Sequence, residues 1–219
     1  MIVSHAYLPW QTVRMSRTLE GRWNHNIHYH RQILNVVPDG ARTALDVGTG
    51  NGLLAADLRR RVPSVTAVDQ DAAVLVTART EDPSVNWVHG DVMSYPFVPG
   101  SFDVVASAAT VHHLPHVEQA FRRFAELAAP GGVVVNVGLA RSGGPVDRMF
   151  DIAGMAQHAV LRRRYGWWEH SAPMVWPPAH TYSEVRAVAE ATLPGSRWRR
   201  LSMWRYCVTW RKPIYDGQR

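Results

Sequence analysis

Three carboxylates and three glycines carry the densest chemistry in this chain. Asp46 precedes Gly48, Gly50 and Gly52 in "LDVGTGNG", Asp69 stands in "VTAVDQD" with Gln70 beside it, and Asp91 stands in "VHGDVMSYPF". Each aspartate ends or follows a short β-rich run. A strand that runs into a glycine loop and then opens a helix makes a nucleotide cradle, because the first backbone N–H groups of the helix face the ligand. A fourth run leads into "ASAATVHHLP", which holds His112 and His113. Imidazole titrates near neutrality, so either histidine is a candidate base for removing a proton from a substrate, and the plainer reading is a structural turn.

The glycine loop admits two kinds of cofactor. A dinucleotide fingerprint reads G-x-G-x-x-G with an acidic residue about 20 positions on. Here the third glycine comes one position early, and Asp46 lies just ahead of the loop. A carboxylate at that point would face a doubly charged pyrophosphate, and like charges at close range repel. S-adenosylmethionine (SAM) suits the loop better, since it brings a sulfonium and an ammonium and has no phosphate. The glycines let the backbone approach it closely. Asp69 can accept hydrogen bonds from both ribose hydroxyls. Asp91 can accept from the adenine amine, with Val92 and Met93 against the ring. Gln70, and Ala108 at the end of the fourth run, belong to the same expected cofactor site. A lone aspartate after a strand caps a helix just as readily; the ordered set carries the reading.

These residues need a scaffold that brings strand ends together. Short β-rich runs at 43–48, 64–69, 85–90, 102–108 and 131–138 alternate with helical stretches at 52–61, 71–79 and 116–128. That alternation predicts an α/β fold with a parallel sheet covered on both faces, whose ligands bind beyond the carboxyl ends of the strands. Two regions stand outside it. Within residues 9–37, "RWNHNIHYHRQILNVV" reads as one helix with Trp23, Ile27, Leu34 and Val37 on one face. His25, His28 and His30 read mainly as its polar face. Residues 139–182 form an insertion with a helix at about 145–164 and a loop containing Trp167, Trp168 and Trp176. Both regions are expected to cover the acceptor, with His25, Tyr29, Trp167 and Trp168 as candidate substrate contacts. Nine tryptophans suit a planar or aromatic acceptor, and simple core filling is the competing account. "TYSE" at 181–184 matches a capping box, and residues 197–212 read as a terminal hairpin.

The motifs "LDVGTGNG", "VTAVDQD", "VHGDVMSYPF", "FDVVASAATVHHLP" and "LAAPGGVVVNVG", over about residues 43–138, resemble the class I SAM-dependent methyltransferases. The resemblance is greatest to ubiquinone/menaquinone-biosynthesis C-methyltransferases and to small-molecule methyltransferases of bacterial secondary metabolism. It implies a Rossmann-like seven-stranded sheet of order 3-2-1-4-5-7-6 with strand 7 antiparallel. It also implies that Asp46 and the loop hold the methionyl part, Asp69 the ribose and Asp91 the adenine, in one domain spanning 1–219. The terminal hairpin matches strands 6 and 7 in position.

Composition bounds the rest. A chain of 219 residues with 46% hydrophobic and 19% charged residues reads as one globular domain. One cysteine, Cys207, permits no internal disulfide and suits a reducing, cytoplasmic setting. No apolar run approaches the roughly 18 residues of a membrane span, and the first residues lack the pattern of a signal peptide. Net charge is +6, with Lys212 the only lysine. The arginine clusters at 59–61 and 162–164 fall near predicted helix C-termini, where cations suit the macrodipole, so the charge argues little for a nucleic-acid partner. No metal is expected, because the segments after strands four and five hold no carboxylate pair and zinc spacings are absent. Three functions compete: methylation of a small molecule, methylation of RNA, DNA or protein, and a methyltransferase-like fold kept as a binding subunit. The missing Asn/Asp-Pro-Pro-aromatic motif after strand four weighs against the second. An intact carboxylate set weighs against the third, since it would leave charges uncompensated. The acceptor atom (O, N or C) and the oligomeric state are not readable from these residues.

Overall fold

The valine- and alanine-rich runs form one seven-stranded sheet in the computed structural model, whose described residues are 21–171 and 175–214. The strands are β1 Thr43–Val47, β2 Ser64–Asp69, β3 Asn86–His89, β4 Phe102–Ala108, β5 Ala128–Leu139, β6 Arg197–Arg200 and β7 Arg205–Arg211. Their order is β3-β2-β1-β4-β5-β7-β6, as the resemblance implies. The first five are parallel to one another, and β7 runs antiparallel to both β5 and β6.

Side chains alternate between the two faces of a strand, and both faces here are covered. Ala44, Val104, Val133 and Val135 point into one core with Leu54 and Leu58 of α3 (Leu53–Arg59) and Leu75 of α4 (Ala72–Ala78). Leu45, Val105 and Val134 point into the other, against Phe121 and Phe124 of α5 (Val117–Leu127) and Val185 of α7 (Tyr182–Thr192). Phe121 and Phe124 are fully buried, and each such ring stabilises the fold by roughly 1.5–3 kcal/mol. α7 opens on the expected capping box: Thr181 Oγ1 accepts from Glu184 N, and Glu184 accepts from Thr181 N at 2.7 Å.

The N-terminal segment departs from the single expected helix. Its residues 9–20 lie outside the described region, and the rest forms two short helices, α1 His25–His28 and α2 His30–Leu34. The break falls at Tyr29 (φ −98°, ψ 1°), whose hydroxyl reaches across the chain to the Ser202 carbonyl at 2.8 Å. Trp23 and Ile27 are buried, as the predicted apolar face requires. His30 is not on a polar face. It is 5% exposed, and its Nδ1 lies 2.9 Å from Asp57 of α3, which ties α2 to the body.

The insertion carries α6, Pro145–Tyr165, with Arg162, Arg163 and Arg164 in its last turn. Gly154 is its one buried residue among those described. A Cβ there would lie 2.8 Å from the Met203 nitrogen, so the helix touches the hairpin turn backbone to backbone. No helix among the described residues is long and apolar enough to cross a membrane.

Candidate active site

The carboxyl ends of β1, β2, β3 and β4 open into one cleft of about 1360 Å³, counted out to its mouth. Asp46, Gly48, Gly50, Asp69, Gln70, Asp91, Val92, Ala108, His112, His113 and Trp168 all line it.

The loop after β1 is held by its neighbours. Gly48 sits at φ +67°, and a side chain there would collide with Thr110, whose hydroxyl donates to the Gly48 carbonyl at 3.1 Å. Asp69 buckles the loop to β2: its Oδ2 accepts from Gly50 N at 2.8 Å and its Oδ1 from Asp71 N at 3.0 Å. Each carboxylate oxygen has a second lone pair for a ligand. Asp91 accepts from Met93 N at 2.9 Å and is otherwise exposed.

Gly52 has a different place from the one its spacing suggests. It does not line the cleft. It is the N-cap of α3 at φ +82°, and a Cβ would lie 2.6 Å from the Trp87 ring and 2.9 Å from Ala78. Its small size lets α3 close onto β3 and α4.

Asp46 is 1% exposed, and Thr49 Oγ1 donates to it at 2.6 Å. Burial pushes its carboxyl up to about 6, and the charge of Asp69 adds to that, while the Thr49 bond and nearby His30 pull the other way. His112 and His113 occupy a 3-10 turn, Val111–His113, with ring centroids 4.1 Å apart. Burial pulls His112 down to about 3, helped by the charges of His113 and Arg205. Its buried Nδ1 has no hydrogen-bond partner among the described residues. Burial also lowers His113, against the opposing pull of Asp69. A neutral imidazole can accept a proton, and an orphaned buried nitrogen calls for a partner from outside the chain.

Three of the four substrate candidates lie behind this cleft and do not line it. His25 packs among Trp23, His158, Trp167 and Trp204, with its Nε2 2.8 Å from His158 Nδ1. Burial pulls it down to about 3. Tyr29 is buried on Ser202, and Trp167 is 41% exposed with its edge toward Trp23. Only Trp168 reaches the cleft, against Ile27 and Leu53.

The structure adds residues that the motifs did not flag. Asn24, Asn26 and His30 of the N-terminal segment line the cleft, and so does Arg205, the first residue of β7. Arg205 is 6% exposed. The signal in the sequence was its place in "MWRYCVTW": Met203 and Cys207, two positions to either side, both belong to the apolar core. An arginine on that stripe is out of pattern.

The donor set fits SAM. Four carboxylates, Asp46, Asp69, Asp71 and Asp91, line the cleft against a single guanidinium. A buried carboxylate held near its titration point gains from a cationic ligand and loses from a pyrophosphate. A methyltransferase-domain family model matches residues 45–136. An uncharacterized methyltransferase of Mycobacterium tuberculosis is 41% identical over 198 residues, covering 88% of this chain and 98% of its own length. A 2-phytyl-1,4-naphtoquinone methyltransferase of Thermosynechococcus vestitus is 35% identical over 102 residues, 44% of this chain and 45% of that one. Among solved structures, the N-methyltransferase NodS of Bradyrhizobium japonicum in complex with S-adenosylhomocysteine (SAH) superposes with a TM-score of 0.56 at 16% identity, covering 85% of this chain and 86% of that one. Its likeness is one of fold. With a 41% identical relative matched almost end to end and the carboxylate–glycine cleft in place, the chain belongs to the class I SAM-dependent methyltransferases.

Proposed function

We propose that this methyltransferase acts on a small, planar, aromatic or heteroaromatic acceptor in the cleft between the sheet edge and Trp168. Trp168 carries the reading. Its nitrogen donates to the Trp23 carbonyl at 2.9 Å, and its carbonyl accepts from Asn24 Nδ2 at 3.4 Å, so its backbone is pinned on both sides. Its indole packs on Ile27 and Leu53 at the cleft wall, and an indole there suits flat apolar surface. The relative named for a naphthoquinone is in keeping with such an acceptor. A cytoplasmic setting in secondary metabolism completes the reading, and the lone, buried Cys207 suits it.

When bound, SAM supplies a methyl group on a sulfonium, open to in-line displacement by an acceptor atom. Asp46 and the Gly48–Gly50 loop would hold its methionyl part, Asp69 with Gln70 its ribose, and Asp91 with Val92 and Ala108 its adenine. His112, uncharged at neutral pH, would accept a hydrogen bond from a phenol, alcohol or amine acceptor and take its proton as methylation makes that group strongly acidic, which even a base lowered to about 3 can do. His113, tilted against it at 44°, would fix its ring. Alignment of two bound partners supplies up to about 7–11 kcal/mol of barrier reduction, so the protein has little covalent work to do.

The test is a screen of aromatic and heteroaromatic metabolites with methyl-labelled SAM, with products identified by mass spectrometry. Label in a small aromatic product supports the reading. Label appearing only in added RNA, DNA or protein would replace it with a macromolecular methyltransferase.

A further inference from the structure

Arg205 is a buried cation with no counter-charge among the described residues. Its Nη2 donates to the amide oxygen of Asn26 at 2.7 Å and its Nη1 to the Met203 carbonyl at 3.3 Å. Its Nε is buried without a hydrogen-bond partner among the described residues. No carboxylate among those residues forms an ion pair with it, whereas nearby Arg200 has both Asp147 and Asp151. The negative side of its surroundings consists of the hydroxyls of Tyr182 and Tyr29. Burial pushes both hydroxyls up, so neither is a phenolate at neutral pH. The guanidinium itself is drawn down by burial only to about 10, so it remains charged. A charge buried this deeply without a partner is costly.

Its position is built, and at some cost. The turn that delivers it puts two successive non-glycine residues, Met203 (φ +50°) and Trp204 (φ +59°), in the left-handed region. Non-glycine residues are strained there and gather where function demands them. Arg205 pairs with Leu139 at the end of β5, on the same edge as His112. β7 is the third strand from β1, so at about 4.8 Å per strand the Arg205 backbone starts about 14 Å across the sheet from β1. The carboxylates of Asp69 and Asp91 lie still farther, on the opposite side of β1. The cation therefore stands on the acceptor's half of the cleft.

We propose that Arg205 recognises a carboxylate carried by the methyl acceptor. This rests on the small-acceptor reading above and narrows it to anionic substrates. A guanidinium on the cleft wall, with no ion-pair partner among the described residues, matches the oxygens of a carboxylate in charge and geometry. Asn26, an amide and not an acid, orients the group without neutralising it.

The experiment uses the full chain loaded with SAH and three probes of one size: benzoate, phenyl phosphate and benzamide. Binding is read by intrinsic tryptophan fluorescence and by thermal shift. Benzoate should bind saturably and benzamide at least about tenfold more weakly. Arg205→Met should remove benzoate binding while the SAH dissociation constant changes less than about twofold. Should that variant fail to fold, Asn26→Asp decides the matter, because it keeps the arginine and supplies an internal carboxylate 2.7 Å away; benzoate binding should fall there too. Equal binding of benzoate and benzamide, or undiminished benzoate binding in either variant, overturns the proposal. So does phenyl phosphate binding more tightly than benzoate, which would make the site one for phosphate. A loss of SAH binding in Arg205→Met would assign the arginine to the cofactor's own carboxylate. If the wild-type protein bound no SAH at all, it would be the cofactor site that failed and not the arginine.

Discussion

Replacing Asp46 with Asn should make the cofactor-free protein more stable and its complex with SAM weaker. The carboxyl is 1% exposed and is raised from 3.8 to about 6, chiefly by burial. At 1.36 kcal/mol per pH unit, keeping it ionised in the folded state costs on the order of 3 kcal/mol. The sign follows from proton linkage. Because the folded value is the higher one, the folded state binds the proton more tightly. The cost is absent well below pH 3.8, grows as pH rises and is complete above about 6. Asparagine carries no such cost, although it weakens the Thr49 hydrogen bond by about 1 kcal/mol. The variant should therefore gain about 2 kcal/mol at pH 8, and roughly half or more of that gain should disappear by pH 5. Urea unfolding followed by tryptophan fluorescence at both pH values measures the difference between the two proteins. Saturating SAM should cancel or reverse the gain, because the sulfonium and ammonium compensate the wild-type charge, and calorimetry should show SAM bound at least about tenfold more weakly by the variant. A stability gap that is the same at pH 5 and pH 8, or an unchanged SAM dissociation constant, would refute the argument.

Asp69→Ala removes the acceptor for Gly50 N and Asp71 N as well as the proposed ribose contact; SAM binding by calorimetry should weaken about ten- to hundredfold, and unchanged binding in a folded variant would take Asp69 out of the site. Gly52→Ala meets both a positive φ and the Trp87 ring, so urea unfolding should show a loss of about 1–3 kcal/mol. His112, lowered to about 3 against an ordinary 6.5, stays neutral while the unfolded chain protonates. Its contribution to stability is complete above pH 6.5 and is lost as pH falls toward 3, at up to about 1.4 kcal/mol per unit. His112→Asn should flatten the acid limb of the stability curve, and an identical curve would count against the burial of that ring.

The strands and helices of the sheet were legible because their patterns are local. "TALDV" and "SVTAV" are apolar runs bounded by turn residues, and the glycine loop announces its own geometry. The placement of Asp46, Asp69, Asp91 and His112 on one edge followed from strand order alone. What was not legible depends on meetings between distant segments. His30 looks like one of three surface histidines until α2 packs on α3 and brings Asp57 to it. Gly52 looks like part of the cradle until Trp87 arrives from β3. Arg205 meets Asn26 from 179 residues away, and no period within the hairpin specifies that contact.

The reversed direction of β7 has a consequence for which parts of the cleft can be redesigned. The parallel strands reach the edge at their last residues, so what they contribute is mostly borne by the loops that follow. β7 runs the other way and arrives there with its first residue already paired to β5. Arg205 is thus a fixed datum held by the sheet, while Trp168, the N-terminal segment and α6 are borne by chain that can drift in length and sequence. On the proposal that Arg205 anchors the acceptor, changes in those segments would reshape the space around the cation without moving it. A lineage exploring new substrates on this scaffold would keep the same anchoring point and vary everything that faces it.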